Sequence, residues 1–127
     1  MIGYVTLGTN DFDKAAAFYD ALLAELGGKR MMEDETFIAW AADGGGAAIS
    51  IIKPFDGESA SIGNGVMVSL SANSTDLVDK VYAKAIELGG TCEGKPGPRG
   101  ENGFYAGYFR DLDGNKLNAF TMPVAPG

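Results

Sequence analysis

Two stretches of this sequence follow one pattern: VTLGTNDFDKAAAFYDALLAELGGKR at residues 5–30 and VSLSANSTDLVDKVYAKAIELGGTC at residues 68–92. At an offset of 63 positions the identical pairs are Val5/Val68, Leu7/Leu70, Asn10/Asn73, Asp13/Asp76 and Tyr19/Tyr82. After a one-residue deletion, Leu-Gly-Gly recurs at residues 26–28 and 88–90. Because the matches keep their order over the whole stretch, the pattern predicts an internal repeat.

Each copy predicts a strand followed by a helix. Alternating runs at residues 2–8 and 65–71 indicate the strands. Apolar residues three and four apart give each helix one apolar stripe, formed by Ala15, Phe18, Tyr19, Leu22, Leu23 and Leu26 and by Leu77 or Val78, Val81, Tyr82, Ala85 and Leu88. The natural N-caps are Asn10 or Asp11 and Ser74, and Gly27 and Gly89 suit the residue that ends a helix.

Three shorter strands are predicted after each helix. They cover residues 29–33, 36–41 and 47–53 in the first copy and 91–95, 104–110 and 116–121 in the second. The sequence DLDGN at 111–115 predicts a hairpin turn, in which Asp111 and Asp113 are more typical of turn caps than of a general-base pair. The stretch GKPGPRGENG at 94–103 is predicted to be a loop.

The predicted fold class is therefore α+β, with β-α-β-β-β occurring twice in one domain of residues 1–127. The first module spans residues 1–55, a linker spans 56–63, and the second module spans 64–122.

Composition indicates a globular protein of the cytoplasm. Hydrophobic residues make up 46% and charged residues 21% of the chain, and we find neither an apolar run of ~20 residues nor a secretory signal at the start. A single cysteine, Cys92, excludes an internal disulfide and is typical of a reducing compartment. We interpret Cys92 as a small buried hydrophobic residue rather than a nucleophile.

The absence of histidine excludes a His-based general base, a Ser-His or Cys-His pair, and metal sites built on imidazole. A net charge of −7 argues against nucleic-acid and anionic-membrane partners. Residues 1–63 hold 4 basic and 10 acidic side chains, whereas residues 64–127 hold 6 and 7. This acidity indicates either a solvated surface or attraction of a cationic ligand.

Alternation along the strands sorts their side chains onto two faces. The aliphatic faces, with Val5 and Leu7 on the first strand, are expected to pack on the helices. The mixed faces carry Tyr4, Thr6, Ser50, Met67, Ser69, Asn118 and Phe120. Two such faces turned toward each other bring Tyr4, Ser50, Met67 and Asn118 to one predicted cavity.

Three features of the chain carry a resemblance to a known family: the tandem repeat, the segment FYAGYFRDLDGNKLNAF at 104–120 and the segment SIIKPFDG at 50–57. In these features the chain resembles the glyoxalase/bleomycin-resistance/dioxygenase superfamily, also called vicinal oxygen chelate proteins. The resemblance implies paired βαβββ modules that form a U-shaped cavity, commonly within a homodimer. It also implies that the enzymes of the family hold a divalent metal with four ligands. In chain order these are a His or Gln on the first strand, a Glu before the linker, a His on the fifth strand and a Glu on the last strand.

The positions that correspond to these ligands hold Tyr4, Ser50, Met67 and Asn118. A phenol, a hydroxyl, a thioether and an amide carry too little negative charge for Zn²⁺, Ni²⁺ or Fe²⁺. We therefore expect no metal and no other cofactor. Asn118 is predicted to orient a ligand by hydrogen bonding; the alternative is a packed amide satisfied by the sheet backbone.

Three functions remain open. The first is a metal-free small-molecule-binding protein, a homodimer that sequesters a cationic or aromatic compound. Its predicted ligand-binding residues are Tyr4, Thr6, Trp40, Ser50, Met67, Ser69, Arg99, Tyr105 and Asn118, with core packing as the alternative for Trp40.

The second function is a glyoxalase-like lyase, isomerase or dioxygenase with a non-standard site. Its anionic substrate is held by Lys53, Lys95, Arg99 and Arg110, and Tyr4 is its acid. The third is a vestigial structural dimer, favoured by inward-facing Met67 and Phe120.

Overall fold

The computed structural model of the protein describes residues 1–123. The first module contains β1 (Tyr4–Gly8), α1 (Phe12–Ala24), β2 (Gly28–Glu33), β3 (Phe37–Ala42) and β4 (Ala48–Ile52). The second contains β5 (Val68–Ser71), α2 (Thr75–Glu87), β6 (Thr91–Pro98), β7 (Tyr105–Arg110) and β8 (Lys116–Thr121). The predicted α+β class and the doubled β-α-β-β-β order are confirmed. Over the described part of the chain, neither helix has the length and hydropathy needed to cross a bilayer.

Both modules form a four-stranded sheet with the same strand order. Sheet A has the order β1-β4-β3-β2, and sheet B has the order β5-β8-β7-β6. In each sheet the first strand of the module pairs in parallel with the last, and the other pairs are antiparallel. The sequence repeat is therefore also a repeat of topology.

The helices begin and end where capping chemistry predicts. Asp11 caps α1, its carboxylate accepting the Lys14 backbone N–H at 3.2 Å, and Ser74 caps α2, its hydroxyl accepting the Leu77 N–H at 3.1 Å. Gly27 and Gly89 follow the helices with φ of 77° and 102°, a conformation that costs glycine little because it has no Cβ.

Strand β6 corrects two predictions. It continues to Pro98, into the segment predicted as a loop. Because β6 is an edge strand, it tolerates proline, and register shifts at Gly94 and Gly97 accommodate the extra residues. Cys92 is exposed rather than buried, since no further strand covers this edge. Strands β1 and β5 also begin at Tyr4 and Val68, later than predicted.

One hydrophobic core joins the two modules. It contains the helix-facing side chains of both sheets, including Leu7 and Leu70 from the predicted aliphatic faces, together with Phe18, Val78 and Phe109. The opposite side of each sheet is called its outer face. The outer face of sheet A carries Tyr4, Thr6, Ala39, Ala48 and Ser50; that of sheet B carries Met67, Ser69, Tyr108, Lys116 and Asn118.

A buried hydrogen-bond network ties the β7–β8 turn to the first module. The Tyr19 hydroxyl donates to Asp111 at 2.6 Å, and Asn115 donates from its side chain to the Gly8 carbonyl at 3.1 Å. Asp111 also accepts the backbone N–H groups of Asp113 and Asn115 at 3.0 and 2.9 Å, which confirms its predicted role as a turn cap. Burial, followed by the nearby charge of Asp111, raises the pKa of Tyr19 well above its usual value.

Candidate functional site

The outer face of sheet A contains an apolar cavity of about 350 Å³. Its lining is formed by Gly3, Tyr4, Met31, Met32, Phe37, Ala39 and Ala48. These residues come from β1 to β4, so the first module supplies this wall alone. Tyr4 lies at the rim with 62% of its surface exposed.

The predicted hydroxyls beside this cavity are already hydrogen-bonded. Ser50 is fully buried, and its hydroxyl donates to the Val5 carbonyl at 3.0 Å while lying 2.8 Å from the Thr6 hydroxyl. Because the Ser50 proton is used in this way, the Thr6 hydroxyl is the donor of the pair. Thr6 is exposed, and it is therefore the hydroxyl that a ligand can reach.

Asn118 lies at the centre of the outer face of sheet B. It pairs with Ser69 on β5 and with Tyr108 on β7, and only 1% of its surface is exposed. Its buried Oδ1 has no hydrogen-bond partner among residues 1–123. The sheet backbone therefore does not satisfy this amide oxygen.

Two cationic side chains lie near Tyr108, the cross-strand neighbour of Asn118. The Arg99 guanidinium carbon and the Lys116 Nζ lie 5.4 and 5.7 Å from the centroid of the Tyr108 ring. Arg110 forms an ion pair with Glu93. The hydrogen bond that Arg110 donates to Glu93, and to a smaller extent the Lys116 charge, hold the pKa of Glu93 below its usual value. A second cavity of about 630 Å³ adjoins this face and is lined by residues 62–67 with Arg110 and Lys116.

Seven of the nine predicted ligand-binding residues lie on the outer faces. Tyr4, Thr6 and Ser50 are neighbours on sheet A. On sheet B, Ser69 pairs with Asn118, Met67 directly precedes β5, and Arg99 lies near Tyr108, the other cross-strand neighbour of Asn118. The binding role of each stays a prediction.

Trp40 and Tyr105 lie on the opposite, helix-facing side of their sheets. Trp40 is 2% exposed and its indole N–H donates to Asp20 at 2.9 Å, while the Tyr105 hydroxyl donates to Asp79 on α2 at 2.7 Å. Alternation explains both positions, since Ala39 and Tyr108 occupy the outer face of the same two strands. Trp40 thus packs in the core, which was the alternative prediction for it.

Phe37 and Tyr108 are two aromatic residues that the sequence offers as candidates for the cavity wall or rim, with core packing as the alternative for Tyr108, and both lie on an outer face, as alternation places them. Sequence reasoning missed two other residues of the cavity, Met31 and Met32. They were not detectable, because the register of β2 shifts between Arg30 and Met32 and alternation is lost there.

The four residues at the family's metal positions do not fit a divalent transition metal. Tyr4 and Ser50 belong to sheet A, Met67 and Asn118 belong to the sheet B side, and the Ser50 hydroxyl is committed to protein partners. Neutral phenol, hydroxyl, thioether and amide donors also leave a dication uncompensated. In the described chain, no group of three His, Cys, Asp or Glu side chains is placed to hold a metal ion.

Solved structures of known proteins have the same fold. A glyoxalase/bleomycin resistance protein from Albidiferax ferrireducens T118 is 35% identical, with 97% of this chain and 99% of that chain covered and a TM-score of 0.88. A hypothetical protein from S. aureus is 28% identical over 95% and 92% of the two chains, with a TM-score of 0.73. Lactoylglutathione lyase from Agrobacterium tumefaciens is 21% identical over 95% and 92%, with a TM-score of 0.69, a likeness of fold alone.

Sequence comparison agrees with the structural matches. No curated protein matches the chain. The family model of the Glyoxalase/Bleomycin resistance protein/Dioxygenase superfamily matches residues 1–119, nearly the whole described chain. On its repeat, its topology and this match, the chain belongs to the Glyoxalase/Bleomycin resistance protein/Dioxygenase superfamily.

Proposed function

We propose that this protein is a metal-free small-molecule-binding member of its superfamily, which holds the apolar or aromatic body of a ligand on the outer face of sheet A. The observation that carries the proposal is the apolar cavity of about 350 Å³ beside Tyr4 and Phe37. Pockets for small organic ligands typically measure about 300–1,000 Å³ and have apolar walls with few polar groups. Thr6 supplies a polar group of this kind next to the cavity.

The lining of this cavity supports binding rather than acid–base catalysis. Tyr4 is the one ionisable side chain among its lining residues. A general acid and base require titratable groups within hydrogen-bond reach of the reacting atoms. We therefore assign no proton-transfer step to the cavity of sheet A.

We further propose a homodimer in which a second copy covers the outer face of sheet A. Tyr4, Met31 and Met32 are large apolar side chains that are more than half exposed there, and burying such surface favours association. The first module and the linker, residues 1–63, have a net charge of −6, whereas the outer face of sheet B carries Arg99 and Lys116. A twofold dimer therefore gains complementary charge when each first module meets the partner's second module.

Thermal unfolding of the chelator-treated protein tests ligand binding without metal. We expect benzyl alcohol to raise the melting temperature saturably, because a ligand at 100 times its Kd stabilises the folded state by about 2.7 kcal/mol. We expect Zn²⁺, Ni²⁺, Mn²⁺ and Fe²⁺ to give no saturable shift. The Ala48→Phe variant fills the cavity and should lose the response to benzyl alcohol, whereas Ala17→Phe on the exposed side of α1 should keep it. A saturable shift with one metal ion would contradict the metal-free assignment.

The dimer is tested by measuring the mass in solution by light scattering as a function of concentration. We expect twice the chain mass of 13.2 kDa for the native protein. Met32→Glu places a carboxylate in the proposed interface and should raise the dimer dissociation constant at least ~10-fold. Ile86→Glu, on the exposed surface of α2, is the matched control and should leave the dissociation constant unchanged. A native protein of single-chain mass at all concentrations overturns the proposal.

A further inference from the structure

The outer face of sheet B holds two cations that have no carboxylate partner. Arg99 and Lys116 both lie over the Tyr108 ring, and neither forms an ion pair with any residue in the described range 1–123. The chain contains 17 acidic and only 10 basic side chains, so carboxylates are not scarce. In contrast, the neighbouring Arg110 is neutralised by Glu93. Two cations near one ring, neither of them in an ion pair within residues 1–123, therefore concentrate positive charge locally on an acidic protein, with Glu93 near enough for the Lys116 charge to lower its pKa.

The backbone of β6 is shaped to receive Arg99. The Arg99 guanidinium donates to the Lys95 carbonyl at 2.6 Å and to the Pro98 carbonyl at 3.3 Å, which orients it along the strand. A Cβ on Gly97 would lie 3.2 Å from Nη1, and a Cβ on Gly94 would lie 3.4 Å from Nη2. The two glycines thus leave the space that the guanidinium occupies near Tyr108. The position of Arg99 is held by the fold and is not that of a freely solvated side chain.

Asn118 supplies the second, independent observation. Its Oδ1 is buried without a partner within residues 1–123, and an unpaired buried acceptor costs about 1–3 kcal/mol. Tyr108, the ring between the two cations, is the direct cross-strand neighbour of Asn118. An amide placed there offers an acceptor for a hydroxyl or amino group and, from Nδ2, donors for an anion.

We infer that the outer face of sheet B binds the oxyanion of a small organic acid, a carboxylate or a phosphate, held by Arg99 and Lys116, with Asn118 bonding a polar group beside it. This inference rests on the proposed function and names the ligand class for it. In the proposed dimer, the apolar cavity of one subunit then receives the body of the ligand and the partner's sheet B receives its charged end. The whole-chain charge is compatible with a solvated surface or a cationic ligand, but nearby charges outweigh distant ones in the local field because salt screens interactions beyond about 8–10 Å.

Binding of four aromatic probes to the full chain at fixed ionic strength tests the inference. The probes are mandelate, phenyl phosphate, the neutral mandelamide and the cationic benzyltrimethylammonium. We expect at least one of the two anions to bind. The dissociation constants of mandelamide and benzyltrimethylammonium should be at least ~10-fold higher, because one charge-assisted hydrogen bond provides a ratio of this size. The preferred anion shows whether the site takes a carboxylate or a phosphate.

Variants separate the site from the general charge of the protein. Arg99→Gln and Lys116→Gln should each weaken binding of the anion about 10-fold, whereas Lys80→Gln, which removes the same charge from an exposed position on α2, should not. Asn118→Leu should weaken binding of the anion by a similar factor. The same variant should raise the melting temperature of the ligand-free protein by about 4 °C, because the unpaired oxygen is removed.

The outcomes distinguish the two proposals. Equal binding of mandelate and mandelamide, tighter binding of benzyltrimethylammonium, or equal losses from Lys80→Gln and Lys116→Gln overturns the anion site and leaves ligand binding in place. Failure of all four probes and of benzyl alcohol overturns both proposals. An Asn118→Leu protein that is destabilised and still binds mandelate shows that the amide is a packing residue.

Discussion

We expect Asp111→Ala to lower the free energy of unfolding by about 3–4 kcal/mol and the melting temperature by about 10–15 °C. Asp111 is 5% exposed and accepts four hydrogen bonds, from the Tyr19 hydroxyl, the Asp113 N–H, and the backbone and side-chain N–H groups of Asn115. The substitution leaves the buried Tyr19 hydroxyl without an acceptor and frees the turn that ties the second module to the first. Folded domains are stable by only about 5–15 kcal/mol, so the loss is a large share of the total.

Urea denaturation at neutral pH measures this effect, and Asp113→Ala is the matched control. Asp113 lies in the same turn, but its carboxylate accepts one exposed hydrogen bond, from the Asn10 N–H at 2.8 Å. Because an exposed hydrogen bond is exchanged for one to water, we expect this control to cost at most about 1 kcal/mol. Equal losses in the two variants would show that Asp111 acts as a simple turn residue and not as a link between modules.

The second large effect is expected at alkaline pH. Burial, and then the charges of Asp111 and Asp113, raise the pKa of Tyr19 in the folded protein above the usual value of about 10 that applies after unfolding. The folded state then binds one more proton than the unfolded state above pH ~10. Stability from this group is fully present below pH ~10 and falls by about 1.4 kcal/mol per pH unit as the pH rises toward the folded pKa.

Tyr19→Phe isolates this contribution. At neutral pH the free energy of unfolding of the variant should be lower by about 1–2 kcal/mol, because the hydrogen bond to Asp111 is lost. Above pH ~10 it should fall less steeply than that of the native protein, because the variant lacks the slope of about 1.4 kcal/mol per pH unit that one titrating proton contributes. Tyr105→Phe is the control, because the pKa of Tyr105 is also raised, by its hydrogen bond to Asp79, but that hydroxyl is exposed. Denaturation curves collected between about pH 9 and 12 give both slopes. Identical slopes for the native protein and Tyr19→Phe would contradict the assignment.

The distribution of charge shows what a sum over the sequence leaves out. The net charge of −7 indicated either a solvated surface or attraction of a cationic ligand, but the acidic side chains concentrate in residues 1–63, and Arg99 and Lys116 both lie near one ring of the second module. Lys116 and Arg99 are 17 positions apart, and their convergence depends on the antiparallel pairing of β6, β7 and β8. The sign of the local field is therefore a property of the folded chain.

Much of the architecture was predictable from local pattern. The repeat at residues 5–30 and 68–92 predicted the two modules, the capping residues Asp11 and Ser74 predicted the helix starts, and alternation placed Leu7 and Leu70 in the core. These signals are readable because helix caps and strand periodicity depend on neighbours a few positions apart. The outer-face positions of Tyr4 and Asn118 followed from the same period of two.

Features that depend on distant residues were decided by the tertiary structure alone. Cys92 is exposed because β6 is an edge strand, and Met31 and Met32 reach the cavity through an irregular register in β2. Tyr19 meets Asp111 across 92 positions, and the Asn118 oxygen finds no hydrogen-bond donor within residues 1–123, since none of the strands around it supplies one. Edge position, bulges and hydrogen-bond satisfaction are set by which strands pair and how they pack, and local sequence does not encode those choices.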